Sequence, residues 1–276
     1  MVRVGVLGAA GRMGRAVCEA VRADSELELV AAVDPRLAPA ASGRESLDPG
    51  ALLGIEAVGV HTGASIDDLL EVGTEVAVDF TEATAATANM RWCASHGVHA
   101  VVGTTGIAPG DLEDLRGAFE ASKANCVIAP NFAIGAVLMM RLSALAAPFM
   151  DSVEIIELHH DAKVDAPSGT ALRTAELIDD ARRSAAADAW RPDPTTKTVL
   201  PGARGGTGPG GVHVHSVRLH GLVAHQEVVF GAAGQSLAVR HDAYDRTAFM
   251  PGVVLAVKEV GSRPGLTVGL EPLLGF

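Results

Sequence analysis

The chain is poor in aromatic residues, in cysteine and in positive charge, and each shortage removes a class of answers. Two Trp, one Tyr and seven Phe among 276 residues leave the core to Val, Leu, Ala and Ile. Because 48% of the chain is nonetheless hydrophobic, the composition is globular and not disordered. Cysteine occurs three times, at Cys18, Cys93 and Cys126, with no CxxC pair or zinc spacing, so reduced core thiols and no metal are expected. Lys and Arg number 22 against 33 Asp and Glu, a formal net charge of -11. That balance argues against nucleic acid as a partner, since phosphate binding needs clustered cations. Anions can still be held locally, by a few cations or a helix N-terminus. Asn131 to Met150 approaches the length and apolarity of a membrane span, but Arg141 sits in its middle and Pro148 near its end. A buried helix is the better reading, with no membrane partner. No leader of basic and then apolar residues precedes Val2, so a soluble, cytoplasmic protein is expected.

A length of 276 residues allows one large α/β domain or two modest ones. In the first half, short β-branched runs (Val2–Leu7, Leu27–Val33, Glu75–Phe80, Val98–Val102, Cys126–Ala129) alternate with amphipathic stretches (Arg12–Ala23, Ile66–Val72, Ala83–Ser95, Asp111–Ser122). This rhythm predicts βαβ units, a parallel sheet and right-handed crossovers. Residues Asp34 to Gly63 read mostly as loop. After residue 130 the rhythm changes. A long helix, Ala133–Phe149, leads to a strand, Ser152–His159, and to a helix with Pro167 in its first turn. The Pro/Gly-rich stretch Arg191 to Gly211 favours a mobile loop. Three strand-like runs follow without helices: Val212–Leu219, Val223–Phe230 and Ser236–Arg240. They predict an antiparallel or mixed sheet in a second α+β domain. A final helix, Ala248–Val260, and a strand at Leu266–Val268 return to the α/β pattern. The expected division is a dinucleotide-binding α/β domain from 1–130 and 241–276, with 131–240 as a separate domain.

Two stretches carry chemistry. Gly8-Ala9-Ala10-Gly11-Arg12-Met13-Gly14 follows the first strand and opens the first helix. Glycines there allow a tight turn and a close approach to a pyrophosphate, which the helix N-terminus would hold. The spacing is GxxGxxG and departs from GxGxxG, and glycines alone also serve packing. Asp34 strengthens the reading: it ends the second strand where an acid would bond the adenosine ribose. Arg12 and Arg36 lie where a 2′-phosphate would, so NADH and NADPH both remain open. Gly103-Thr104-Thr105-Gly106 follows a further strand and should face the same crevice.

The densest polar stretch is Glu157-Leu158-His159-His160-Asp161-Ala162-Lys163-Val164-Asp165-Ala166-Pro167-Ser168-Gly169-Thr170-Ala171. His159, His160 and Lys163 supply cations and proton donors at a strand end. Ser168, Gly169 and Thr170 would present backbone amides at a helix start. A lysine beside a helix N-terminus traps carboxylates, so the pattern fits an anionic substrate that is held and then protonated. His213, His215, His220 and His225 suggest a rival metal site, but no HExxH or cysteine spacing supports it, and satisfied histidines in a sheet are the simpler account.

The stretch from Glu157 to Ala171 resembles the signature segment of the dihydrodipicolinate reductase (4-hydroxy-tetrahydrodipicolinate reductase) family. The likeness extends to Gly8–Gly14, Gly103–Gly106, Ala129–Gly135, His225–Gly231 and the region from Arg246 to Gly252. It implies a Rossmann-like domain and a C-terminal domain for substrate binding and tetramer assembly, joined by two hinges, which the two-domain pattern puts near Asn131 and Arg240. It also implies NAD(P)H-dependent reduction of a cyclic dicarboxylate on the route to diaminopimelate and lysine, by a homotetramer. Carried over by motif, His159 is the acid–base residue and Lys163 a proton donor. His160, Ser168, Gly169 and Thr170 bind the small dicarboxylate substrate. Gly8, Ala9, Ala10, Gly11, Arg12, Met13, Asp34, Gly103, Thr104, Thr105, Ala129, Pro130, Asn131 and Phe132 line the cofactor site. Two departures stand out: no proline follows the Asp79-Phe80-Thr81 run, and the Gly205–Gly211 loop is long and glycine-rich. Another nicotinamide-linked reductase and a non-enzymatic dinucleotide sensor are the alternatives. The first would need a catalytic cysteine if it were of the semialdehyde type, and the second has no use for the His159–Lys163 cluster.

Overall fold

Val2–Leu7 (β1) and Leu27–Val33 (β2) are apolar, rich in Val and Leu, and buried along most of their length, as strands covered on both faces must be. Between them Arg12–Ala23 (α1) buries Gly14, Val17, Cys18 and Val21, the single stripe that a 3.6-residue period places on one side. The computed structural model describes residues 1–37 and 59–276. The expected loop between Asp34 and Gly63 therefore lies partly outside the described residues. At its far end His61–Gly63 forms a parallel edge strand (β3) on β2, too short to betray itself by periodicity. The alternation continues through Asp68–Glu71 (α2), Val76–Asp79 (β4), Ala83–His96 (α3), His99–Val102 (β5), Pro109–Glu120 (α4) and Cys126–Ile128 (β6).

Ile134–Ala146 (α5) is the long apolar segment. It buries Val137, Met139, Met140 and Ser143 and leaves Leu142 and Leu145 exposed. No helix of the described residues is long and apolar enough to cross a membrane. Ser152–His159 (β7), Gly169–Ser184 (α6), Gly206–Thr207 (β8), His213–Arg218 (β9), Ala224–Ala232 (β10) and Gln235–Ala243 (β11) follow. Met250–Glu259 (α7) and Leu266–Val268 (β12) end the chain.

These elements form two units, Met1–Phe132 with Phe249–Phe276, and Ala133–Ala248. The first unit holds a seven-stranded parallel sheet in the order β12-β6-β5-β4-β1-β2-β3. The chain runs outward from β1 to β3 and then restarts on the other side at β4, so the order reverses between β1 and β4. Ligands of doubly wound sheets bind at the carboxyl ends of the strands at such a point. Met90 and Cys93 from α3 and Leu115 and Phe119 from α4 pack with Ala77, Val102 and Ile128 of the sheet.

The second unit holds a mixed sheet, β11-β10-β7-β9-β8, in which only β7 and β9 run parallel. One face meets α6: Val153, Ile155, Val214, Val228 and Phe230 pack on Ala171, Ala175 and Ile178. Within the Pro/Gly-rich stretch, β8 pairs antiparallel with β9, so part of the expected loop is a sheet edge.

Candidate functional site

The described residues of functional type gather in two clusters, one in each unit. In the first, the turn after β1 is built by the absence of side chains. A Cβ on Gly14 would stand 2.2 Å from the Gly8 carbonyl oxygen, so only glycine lets α1 begin this close to the strand. No side chain caps α1, whose N-terminal turn follows Gly11 directly. Its first amides have no partner within the helix and suit a phosphate. Ala9 and Ala10 are buried, with the Ala9 amide on the Val33 carbonyl and the Ala10 amide on Asp34 Oδ2 at 3.2 Å. Arg12 is exposed and Met13 half-buried beside them.

Asp34 leaves the end of β2 buried, and it is not a free acid. Arg36 donates Nε to its Oδ1 at 2.9 Å and Nη2 to its Oδ2 at 2.8 Å. Burial by itself would push this carboxyl up, but the Arg36 guanidinium and the backbone N–H groups of Arg36 and Ala10 hold it below the usual carboxylate range. An acid and a cation thus share the place where the ribose discrimination is expected.

The ends of β4 and β5 meet this turn through residues that sequence reasoning did not assign. Thr81 lies against Gly8, and its carbonyl accepts the Thr104 hydroxyl at 2.7 Å. A Cβ on Gly103 would lie 2.0 Å from the Phe80 ring, and that ring tilts against Phe132 with centroids 5.8 Å apart. Phe80 therefore links Gly103 to Phe132 at the end of β6. Thr105 and Pro130 are exposed, Asn131 is half-buried, and Ala129 is buried with its amide on the Val102 carbonyl. The available signal for Phe80 and Thr81 was their place directly after a core strand.

The second cluster starts from strand alternation. Val153, Ile155, Glu157 and His159 share one face of β7. Glu157 is fully buried. Its Oε2 accepts His159 Nδ1 at 2.5 Å and Arg218 Nη1 at 2.9 Å; its Oε1 accepts Arg218 Nη2 at 2.8 Å and the Ser168 amide at 3.2 Å. Burial would raise this carboxyl, yet the donors from Arg218, Ser216 and His159 hold it below its ordinary value. Burial lowers His159, with the Glu157 contact opposing the shift. Arg218 was not singled out by sequence, because its strand pairing with His159 is a tertiary fact.

The start of α6 differs from the sequence expectation in two details. Pro167 does not occupy the first turn of α6; Ser168 is the N-cap, its side chain accepting the Ala171 amide at 3.2 Å, and Pro167 precedes it. Nor is the Ser168 amide free, since Glu157 takes it. The amides of Gly169 and Thr170, in the first turn, keep the role expected of a helix start. Lys163 is half-buried and donates to both oxygens of exposed Asp165 at 2.8 Å, while His160 is exposed. These four histidines, three on strands and His220 in the turn after β9, do not converge. His213 pairs with Asp193, His215 with Glu154, His220 with Asp161 and His225 with Asp242. Among the described residues a separate group, His61, Asp68 and Glu71, is close enough to hold a cation, but Asp68 already accepts the Ser65 amide. All three cysteines are free and buried; burial pushes the Cys18 and Cys93 thiols up to about 12 and Cys126 well above its ordinary value. None can serve as a thiolate nucleophile near neutral pH.

Comparison with known proteins accounts for both units. Residues 2–132 match the family model for the N-terminus of dihydrodipicolinate reductase, and residues 135–274 match that for its C-terminus. The chain belongs to the dihydrodipicolinate reductase family. Its relatives include 4-hydroxy-tetrahydrodipicolinate reductase of Nocardia farcinica, 52% identical over 274 residues, 99% of this chain and 98% of that protein. The Mycobacterium marinum enzyme of the same name is 47% identical over 276 residues and the full length of both chains. Among solved structures, a dipicolinate-bound dihydrodipicolinate reductase from Paenisporosarcina sp. TG-14 superposes with a TM-score of 0.84 at 37% identity, covering 99% of each chain. An amine dehydrogenase from Mycobacterium smegmatis, at 17% identity and a TM-score of 0.62, shares the fold alone. In this dihydrodipicolinate reductase family the N-terminal unit is the dinucleotide-binding one, and the cofactor is NADH or NADPH. The glycine turn, the uncapped α1 and the Asp34–Arg36 pair fit such a nucleotide.

Proposed function

We propose that the chain reduces 4-hydroxy-tetrahydrodipicolinate to tetrahydrodipicolinate, in diaminopimelate and lysine biosynthesis, with NADH or NADPH. The carrying observation is that both halves of the chain match one reductase family while the Glu157–Thr170 segment brings a histidine, a lysine and a helix N-terminus together. The bound nucleotide supplies the hydride. The residues of the chain bind, orient and protonate.

In this reading Met1–Phe132 with the C-terminal segment is the nucleotide domain. The α1 amides after Gly8 and Gly11, with Arg12 and Met13, hold the pyrophosphate, and Asp34 with Arg36 meets the adenosine ribose. Gly103 to Thr105 and Ala129 to Phe132 border the same site. Ala133–Ala248 binds the dicarboxylate. The Gly169 and Thr170 amides and the Ser168 hydroxyl take one carboxylate, and His160 and Lys163 the other. The Lys163–Asp165 pair is no obstacle: Asp165 is 58% exposed, and such ion pairs are weak enough for a substrate carboxylate to displace. Hydride addition to a conjugated imine builds negative charge toward the ring nitrogen, which Lys163 and His159 relieve by proton donation.

A homotetramer fits the second sheet. Its face away from α6, with Glu154, Ile156, His213 and Val229, borders an open cavity of about 1170 Å³. A cytoplasmic location fits three buried free thiols. The deciding experiment follows oxidation of NADH and of NADPH while dihydrodipicolinate synthase generates the substrate in place. Fast oxidation only with that substrate is expected, and the ratio of the two rates reads the cofactor choice. No oxidation by folded protein that still binds nucleotide overturns the reading, and light scattering in solution tests the tetramer.

A further inference from the structure

We propose that Glu157 is a positioning residue: its buried carboxylate selects the tautomer of His159, so that proton exchange with the substrate runs through Nε2, and together with Arg218 it holds the Asp165–Ser168 stretch in place. This rests on the reading of His159 as the acid–base residue.

The geometry leaves the carboxylate little else to do. Glu157 and His159 lie two residues apart on one face of β7, so the carboxylate reaches along the strand to Nδ1 at 2.5 Å. On the neighbouring parallel strand Arg218 is the register partner of His159, which brings its guanidinium to both Glu157 oxygens. That fork keeps Glu157 ionised, and an ionised carboxylate only accepts. The proton between Glu157 and His159 therefore sits on Nδ1, and the lone pair of the neutral ring sits on Nε2. Among the described residues no protein group bonds Nε2.

The remaining contacts extend the effect to the loop. Glu157 Oε1 accepts the Ser168 amide at 3.2 Å, and Arg218 Nη2 donates to the Asp165 carbonyl at 2.7 Å. One ion pair, its carboxylate fully buried and its guanidinium half-buried, thus fixes the histidine, the last part of the loop that carries Lys163, and the start of the helix that offers Gly169 and Thr170. A purely structural role is the competing account. Buried ion pairs are weak stabilisers, and two apolar side chains could knit β7 to β9 as well. An apolar pair could neither choose a tautomer nor accept the Ser168 amide.

The first test uses the unaltered protein. Imidazole ¹⁵N shifts, with the His159 signals assigned by their loss in His159→Asn, should show the Nδ1–H tautomer above the His159 titration; an Nε2–H tautomer overturns the proposal. The second uses Glu157→Gln and, in case a lone Arg218 prevents folding, the charge-free pair Glu157→Gln/Arg218→Gln. Removing the carboxylate removes a neighbour that favours imidazolium. The His159 titration and the limb of the kcat/KM profile that follows it should move to lower pH. Turnover should fall about a hundredfold, with KM for the nucleotide unchanged. A folded pair variant with native turnover and an unmoved pH limb would reduce Glu157 to a structural role. Absence of reductase activity in the unaltered enzyme would instead sink the functional reading, and the tautomer would still be read independently.

Discussion

At the ends of β1, β4 and β5 the chain offers backbone amides and empty volume, whereas beyond β7 it offers charged side chains held by a buried carboxylate. The first cluster depends on what is missing: Gly14 and Gly103 have no room for a Cβ. The second depends on what is present: Glu157 collects donors from Arg218, His159 and the Ser168 amide. A backbone-built cluster should fail when volume is added and should feel a nearby charge only through the ligand that the charge meets. A charge-built cluster should fail when a proton or an ion is removed and tolerate little else. The contrast follows from the proposed ligands. A pyrophosphate needs close approach to amides, and a dicarboxylate that must be protonated needs tuned acids.

The largest expected effect lies on the charged side. Lys163→Ala should lower turnover by roughly 10²–10⁴-fold while leaving the Kd for NADH unchanged, because general acid catalysis carries that range. A parallel loss of nucleotide affinity in equilibrium titration would erase the separation between the clusters. Next comes the steric side. Gly14→Ala should destabilise the protein by about 1–3 kcal/mol and weaken nucleotide binding, since its Cβ would press on the Gly8 carbonyl. Denaturant unfolding and titration of the same sample check both.

Arg36→Ala sharpens the comparison by removing a charge from the cluster built of volume. It should raise KM for NADPH about tenfold more than KM for NADH, as a lost charge-assisted bond would. Equal changes would show that Arg36 serves only Asp34. Ser168→Ala should cost about 1 kcal/mol of stability through the lost helix cap, read by thermal unfolding.

The smallest effect is a pH dependence of stability. Burial holds His99, His159 and His241 below the ordinary histidine value of 6.5. The unfolded chain therefore takes up these protons first, so their contribution is complete above pH 6.5 and is lost as pH falls through the lower folded values. Tm should decline steadily on acidification from pH 7 to 5, and a Tm that rises over that range would contradict the burial argument.

The alternating first half was legible because parallel strands covered on both faces read as continuous apolar runs, as β1 and β2 do; β7 was legible instead by its period-two alternation. The three-residue edge strand β3 was not, being shorter than any period, nor was the two-residue β8 among its glycines. Glycine spacing and the His159–Lys163 segment marked both clusters, since their residues are neighbours along the chain. Phe80, Thr81 and Arg218 escaped because they join the clusters only through strand pairing, at separations of 23 residues for Thr81 and Thr104 and 61 for Glu157 and Arg218.

What the sequence determined by itself was the alternation of strand and helix, the glycine turn that opens α1 and the set of chemical groups near residue 160. Each depends on local propensity and on residues close in the chain. Only the tertiary structure decided that Asp34 is already paired with Arg36, that Lys163 rests on Asp165, and that Ser168 caps α6 while Glu157 takes its amide. The Lys163 and Ser168 contacts depend on the path that the fold gives the loop into α6, and those of Asp34 and Glu157 on which donors surround a carboxylate once water is excluded. Such a balance of burial against charge is not written in the order of residues along the chain.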